Sequence, residues 1–542
     1  MPLSYVHGAS SIPLLGQTIG GNLKKTVEKY PNQDALICVH QGYRATYQEF
    51  YNQTTAVAKA LIFLGAKAGD RIGIWSSNRY EWVLLQYATA RIGTILVNIN
   101  PAYRTHELTY VINQSGIRYM FSSLSFKTSN YKEMVEYAKE VCPSLEHEIF
   151  FDDNWEFFLN NGQNISDDTL HSFEEHVQFD DPVNIQYTSG TTGFPKGVTL
   201  SHHNILNNGY FIGIRLKYSE KDRVCIPVPF YHCFGMVIGN ICCTAHGACM
   251  VIPNDSFDPD ITLKTVSEEK CTSLYGVPTM FIAELATKDF ETYDFSNLRT
   301  GVMAGSVCPP EIMKKVESLM NIKEMSICYG MTETSPVSTQ TLIGTPLEKQ
   351  VSTVGTVQDH LEIKIIDENG KTVERGEHGE LCTRGYSVML KYWNDPENTK
   401  KVLDDSRWMH TGDLAVMDED GYITISGRIK DLIIRGGENI SPKEIEDFLY
   451  TYLNILDVQI IGIPSEKYGE EVMAWIKVRK GFEVTEAELL EYCKGRIAHY
   501  KVPKYWKFVD EFPMTISGKI RKVEMREISI KELQLETFKQ RS

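Results

Sequence analysis

Residues 187–198 constrain this chain most. They read Tyr187-Thr188-Ser189-Gly190-Thr191-Thr192-Gly193-Phe194-Pro195-Lys196-Gly197-Val198, with three glycines, four Ser/Thr hydroxyls and one lysine. Glycine lacks the Cβ barrier, so consecutive backbone N–H groups can turn toward one anion. The hydroxyls add donors and Lys196 adds a mobile positive charge. Gln186 and Tyr187 read as the end of a strand, and the apolar residues from Ile205 as the body of a following helix. A polyphosphate suits such a loop. It is not a Walker A loop, because that pattern requires Gly-Lys-Ser/Thr and here Lys196 is followed by Gly197. A flexible surface loop is the plain alternative, disfavoured by a lysine after proline in an apolar region.

The chain has 542 residues, enough for more than one domain, with 42% hydrophobic and 23% charged residues. A net charge of −15 argues against nucleic acid as a general partner. From Arg428 onward there are 20 Lys+Arg and 19 Asp+Glu, against 35 and 51 before it. A relatively cationic tail suits a small domain that meets an anionic ligand, and a solvated surface would give similar counts. The 12 cysteines show no C-x-x-C pair, so no spacing supports a zinc site, and a reducing compartment is expected. No signal or transit peptide is visible, and no apolar run approaches the ~20 residues of a membrane helix. The expectation is a cytoplasmic protein without a transmembrane segment; peripheral membrane contact and a monomeric or homodimeric state stay open.

Helix and strand patterns alternate through residues 20–130. Residues 50–64 and 81–92 read as helices, Arg71-Ile72-Gly73-Ile74-Trp75 and Thr94-Ile95-Leu96-Val97 as buried strands. The alternation predicts an α/β fold with a mainly parallel sheet. Residues 150–180 read as an acidic loop. Beyond Arg428, Ser441-Pro442-Lys443-Glu444 predicts a helix start with a capping box, repeated by Thr485 and Glu488 around strand-like runs at 458–463 and 472–478. The tail is therefore expected to be α+β.

Further segments carry candidate chemistry. His232 lies in Pro229-Phe230-Tyr231-His232-Cys233-Phe234-Gly235 and on its residues alone suits a core histidine. Gly235 and Gly239 nearby suggest room for a long tail of some ligand. Gly301-Val302-Met303-Ala304-Gly305-Ser306 predicts a strand running into a glycine turn, the position where open α/β sheets bind ligands. In Tyr329-Gly330-Met331-Thr332-Glu333 an aromatic can stack on a purine, Thr332 can donate to a phosphate and Glu333 can hold Mg²⁺. A plain turn is the alternative. Asp413, after His410-Thr411-Gly412, can accept from both ribose hydroxyls. Gly436 and Gly437 let a strand pass close to a ligand or simply form a turn. Met514-Thr515-Ile516-Ser517-Gly518-Lys519 ends in a lysine that usually would be a solvated charge.

Taken in order, these motifs resemble the adenylate-forming superfamily of acyl-CoA synthetases, luciferases and peptide-synthetase adenylation domains, over about residues 20–530. Within it, the segments around His232, 435–440 and 516–522 look most like acyl-CoA synthetase family member 2 and bacterial medium- and long-chain fatty acid ligases. The resemblance implies a large N-terminal domain, residues 1–427, of parallel βαβ subdomains plus a barrel-like subdomain. A small mobile lid, residues 428–542, follows, hinged at Lys430. It implies that Thr188, Ser189, Gly190, Thr191, Thr192, Gly193 and Lys196 hold the β- and γ-phosphates of ATP. Gly305, Ser306, Tyr329 and Gly330 border the adenine and substrate pocket. Thr332 contacts the α-phosphate, Glu333 binds Mg²⁺, and Asp413 and Arg428 take the ribose. His232 becomes a wall and gate of the acyl site. Lys519 reaches carboxylate and α-phosphate, and Gly436 and Gly437 border the pantetheine tunnel of coenzyme A.

The implied activity is a fatty acid–CoA ligase working through an acyl-adenylate on fatty acid, ATP and CoA. The alternatives are an adenylating enzyme with another acceptor, such as a carrier protein, or another carboxylic acid, and a non-catalytic nucleotide-binding module. Intact Lys519 and Glu333 argue against the last.

Overall fold

The computed structural model describes residues 2–188, 195–306, 308–515 and 520–535. Ser189, Gly190, Thr191, Thr192, Gly193 and Lys519 lie outside the described residues. The chain divides into two compact units, one of residues 6–363 and 383–409, the other of 1–5, 364–382 and 410–542.

The first unit is built on two sheets. In one, the order among the described residues is Lys391–Tyr392, Lys196–Ser201, Pro182–Thr188, Ile95–Asn98, Arg71–Trp75, Ile117–Ser122 and His147–Phe150. The five strands from Pro182–Thr188 onward run parallel, and the first two form an antiparallel edge. The other sheet has a parallel centre of Glu324–Gly330, Thr300–Ala304, Ser273–Gly276, Arg223–Cys225, Cys249–Ile252 and Asp34–Cys38, flanked by antiparallel strands. Near-continuous burial along these strands is what a parallel sheet covered on both faces requires.

The predicted helices form as Tyr47–Phe63 and Tyr80–Arg91. The first starts where Thr46 and Glu49 satisfy each other's backbone N–H groups, at 3.3 and 2.8 Å. It buries Phe50, Thr54, Val57, Ala58 and Leu61 on one face; each large apolar side chain contributes about 1.5–3 kcal/mol. The second helix is buried from Glu81 to Arg91, so Glu81 needs a partner, and Arg79 grips it at 2.8 and 2.9 Å.

Residues 150–180 are not a loop. They hold helices Trp155–Asn161 and Asp167–His176. Trp155 and Phe158 pack on Phe121, and Ser166 caps the second helix by accepting the Thr169 N–H at 3.1 Å. Both helices are short and the second is acidic, so neither shows a clear apolar period.

Glu284, on helix Pro278–Leu285, is 1% exposed, and neither carboxylate oxygen meets a hydrogen-bond partner among the described residues. Burial pushes its carboxyl up to about 8. Between an unfolded value near 4.3 and that folded value, only the unfolded chain ionises, so stability falls by roughly 1.4 kcal/mol per pH unit. The loss is complete once pH passes the folded value. Glu284→Gln is therefore expected to be stabilising by an amount that grows from about pH 5 to about pH 7.5 in urea unfolding. Parallel stability curves for the two proteins would refute this.

The second unit carries most of a sheet ordered Tyr5–His7, Leu361–Ile366, Gly379–Gly385, Met409–Met417 and Ile423–Arg428. It also holds an α+β module around the long antiparallel pair Ile455–Ser465 and Gly469–Val478. Its core gathers Ile433, Ile445, Leu449, Val458, Ile460, Val472 and Leu489. The Thr485–Glu488 capping box forms as predicted. The one expected at Ser441 does not: Ser441 Oγ donates to the Ser426 carbonyl at 2.7 Å, and Glu444 meets Lys501 at 2.5 Å. Tertiary partners outcompeted the local cap. Among the described residues, no helix is long and apolar enough to cross a membrane.

Candidate active site

Strands Pro182–Thr188 and Lys196–Ser201 pair antiparallel with Thr188 opposite Lys196. Both ends of the glycine-rich segment are thereby fixed to the sheet. Helix His202–Arg215 begins directly after the second strand, capped by Ser201 Oγ on the Asn204 N–H at 3.1 Å.

The outer neighbour of Lys196–Ser201 is the two-residue strand Lys391–Tyr392, with Val198 opposite Tyr392. Lys196 Nζ lies 5.1 Å from the centre of the Tyr392 ring. The Tyr392 hydroxyl donates to Glu333 Oε1 at 2.8 Å. Burial, reinforced by the Glu333 carboxylate, pushes the Tyr392 phenol far above its ordinary value, so it stays a neutral donor. The structure thus joins Lys196 and Glu333 through one side chain. Nothing in sequence pointed to Tyr392, because a two-residue strand 59 positions from Glu333 carries no local signal.

Glu333 sits in the turn Thr332–Thr334, after strand Glu324–Gly330. Glu333 and Thr332 are 7% and 8% exposed. The Glu333 carbonyl accepts the Met389 N–H at 2.9 Å, and Thr334 Oγ1 donates to the Pro336 carbonyl at 2.7 Å. Gly330 is demanded by space: a Cβ there would lie 1.7 Å from the Pro336 carbonyl oxygen. Tyr329 is the half-buried penultimate residue of its strand. On the adjoining parallel strand Ala304 pairs with Cys328, so Gly305 leaves the sheet beside Tyr329, with φ +92° and an exposed Ser306 after it. Tyr329, Gly330, Thr332, Gly305 and Ser306 therefore share the carboxyl ends of two neighbouring strands.

His232 is half-buried rather than a core residue. Its Nδ1 accepts the Phe234 N–H at 3.3 Å, which engages that nitrogen's lone pair. The adjoining glycines do not open a channel. A Cβ on Gly235 would meet the Pro229 carbonyl oxygen at 2.4 Å, and one on Gly239 the Ile226 side chain at 3.0 Å. They allow the chain's own atoms to pack closely, which corrects the expectation of room for a long tail there.

In the other unit, Asp413 and Arg428 lie opposite each other on paired strands and meet at 3.1 Å (Nε to Oδ1). Asp413 is 5% exposed and Arg428 half exposed. Gly412, with φ +70°, supplies the left-handed turn before Asp413. Lys430 is exposed in the turn Ile429–Asp431. Gly436 and Gly437, both with positive φ, close the two-residue hairpin between Ile433–Arg435 and Glu438–Ile440.

A buried, hydrogen-bonded carboxylate beside a threonine hydroxyl, with a lysine across the tyrosine ring, offers a hard oxygen ligand and positive charge together. That chemistry suits a magnesium-bound polyphosphate.

The chain matches the AMP-binding enzyme pattern over residues 23–393 and the AMP-binding enzyme C-terminal domain over 444–519. It is 44% identical to the mitochondrial medium-chain acyl-CoA ligase ACSF2 of Danio rerio, across 98% of this chain and 91% of that one. It is 45% identical to the putative acyl-CoA synthetase YngI of Bacillus subtilis, across 96% and 99%. Among solved structures it resembles ATP-bound MatB from Rhodopseudomonas palustris, with a TM-score of 0.84, 27% identity and 95% and 100% of the two chains covered.

Proposed function

Because the chain belongs to the AMP-binding enzyme family, we propose that it is an ATP-dependent acid–thiol ligase. It converts a medium- or long-chain fatty acid to its acyl-adenylate with release of pyrophosphate, then passes the acyl group to CoA with release of AMP. Full-length similarity to proteins named as acyl-CoA ligases supports the reaction class. The observation that carries the chemistry is the Lys196–Tyr392–Glu333 assembly.

In the first half-reaction a carboxylate oxygen bonds to the α-phosphorus, and the bond to the β-phosphate oxygen breaks, leaving as pyrophosphate. Two anions must be brought together, so charge neutralisation and alignment carry the catalysis. Lys196 and the amides of residues 188–193 hold the departing phosphates. Thr332 donates to the α-phosphate, and Lys519 screens the reacting pair. Glu333 would hold magnesium, which would supply positive charge to the phosphates. Tyr329, Gly330, Gly305 and Ser306 border the adenine, while Asp413 accepts from the ribose with Arg428 beside it. His232 acts as wall and gate of the acyl site, since its Nδ1 is occupied by a backbone donor. In the second half-reaction the CoA sulfur bonds to the acyl carbon, and the acyl–phosphate oxygen bond breaks to release AMP. Lys430 is the hinge, and Gly436 and Gly437 border the pantetheine path.

Pyrophosphate release measured across straight-chain acids of increasing length, with and without CoA, tests this. A preference for medium or long chains and CoA-dependent AMP release are expected. A preference for acetate or aromatic acids would overturn the fatty acid assignment, and AMP release indifferent to CoA would overturn the acceptor. Gly330→Ala supplies a geometric check. The new methyl would lie 1.7 Å from the Pro336 carbonyl oxygen, so backbone next to the Thr332–Thr334 turn must shift, and a displacement of about 1 Å at the turn lowers adenylation about 10²-fold. An unchanged pyrophosphate-release rate would show that the turn does not position the chemistry.

A further inference from the structure

Glu380 and Cys382 are two apart on strand Gly379–Gly385, so they share one face of the sheet. His410 lies on the neighbouring strand Met409–Met417. His410 Nδ1 is 2.9 Å from Glu380 Oε2 and 3.6 Å from Cys382 Sγ, and the three ligand atoms all lie within 4.8 Å of one another. We propose that this trio is a binding site for a single zinc-class divalent cation, with solvent completing the coordination.

The distances carry the assignment. Tetrahedral zinc, with bonds of about 2.3 Å to sulfur and about 2.1 Å to nitrogen, holds those two atoms roughly 3.6 Å apart. The observed separation is 3.6 Å. Nitrogen and carboxylate oxygen on the same ion stand roughly 3.3–3.4 Å apart, so Glu380 need withdraw only a few tenths of an ångström from its present 2.9 Å. Nδ1 carries one proton or one lone pair. As a hydrogen-bonding nitrogen it meets one of its two neighbours at a time, whereas a cation is met by all three. Thiolate, imidazole and carboxylate together select a borderline-soft ion over magnesium or calcium.

The site is also braced. Glu380 Oε1 accepts the Gly412 N–H at 3.0 Å, which leaves Oε2 aimed at His410, and Thr411 Oγ1 donates to the Leu381 carbonyl at 2.7 Å. Outer partners of this kind orient metal ligands. Cys382 is fully buried, while the Glu380 and His410 side chains are 19% and 31% exposed, so an ion enters from their side. On binding, the Cys382 thiol proton passes to solvent. The spacing rules that gave no zinc pattern are blind to this site, because its third ligand comes from another strand.

Tag-free protein titrated with Co²⁺ in nucleotide-free buffer tests the site. One equivalent is expected to bind with a thiolate-to-cobalt charge-transfer band, displaced by Zn²⁺. Cys382→Ser should abolish the band. His410→Ala and Glu380→Gln, at partly exposed positions, should weaken binding about tenfold or more; they carry the test if Cys382→Ser does not fold. Absence of the band in the parent protein, its persistence in Cys382→Ser, or unchanged affinity in the other two variants would overturn the proposal.

Discussion

Lys519→Ala is expected to slow acyl-adenylate formation by about 10²–10³-fold. Transfer of the acyl group from supplied acyl-adenylate to CoA should change by less than about tenfold. In the proposed mechanism the asymmetry follows from charge. In the first half-reaction a carboxylate approaches a polyphosphate, and a lysine between them offsets repulsion that grows as the new bond forms. In the second, a thiolate attacks an acyl carbon and AMP leaves, so the carboxylate that Lys519 paired with no longer exists. The residues flanking the segment are firmly held: Met514 and Ile520 form a bridge, the Arg521 N–H donates to the Pro513 carbonyl at 2.9 Å, and Phe512 packs with Trp475 and Met525. The alanine variant should therefore fold like its parent. Carboxylate-dependent pyrophosphate release reports the first step, and thioester formation from synthetic acyl-adenylate the second. Equal loss of both would remove Lys519 from its assigned role.

What sequence made legible was whatever is written locally. The strand Arg71–Trp75 and the helices Tyr47–Phe63 and Tyr80–Arg91 emerge within a residue or a few of their expected limits, because apolar content and, for Tyr47–Phe63, the Thr46 cap are written in adjacent residues. The strand ending near Tyr187 is legible for the same reason. Features set by distant partners were not. Ser441 has every local reason to cap its helix, yet its hydroxyl serves Ser426. Gly235 and Gly239 suggest empty space only until Pro229 and Ile226 are seen to fill it. Tyr392 reaches Glu333, and His410 reaches Glu380 and Cys382, only once segments far apart in sequence are side by side. Motif reading works on residues close in sequence and passes over partners supplied by distant segments.

The pairing of Glu333 with Tyr392 is where that distinction can be measured. Glu333→Gln is expected to reduce acyl-adenylate formation by about 10²–10³-fold, because it removes the charge of a nearly buried carboxylate proposed to hold magnesium while leaving its shape. The glutamine oxygen still accepts from the Tyr392 hydroxyl, so the turn Thr332–Thr334 keeps its place. Tyr392→Phe does the reverse, keeping the charge and removing the donor that fixes Oε1 at 2.8 Å. A hydrogen bond to a charged group contributes about 1.5–3 kcal/mol, equivalent to roughly tenfold or more in affinity. The phenylalanine variant should accordingly need about tenfold more Mg²⁺ for half-maximal pyrophosphate release, with most of the rate restored at saturation. Glu333→Gln should not be restored by any Mg²⁺ concentration, since the missing element is the ligand's charge. If Tyr392→Phe lost rate uniformly across the magnesium titration, the hydroxyl would be packing the strand Lys391–Tyr392 rather than positioning the carboxylate. If Glu333→Gln kept its rate, the metal would be held elsewhere.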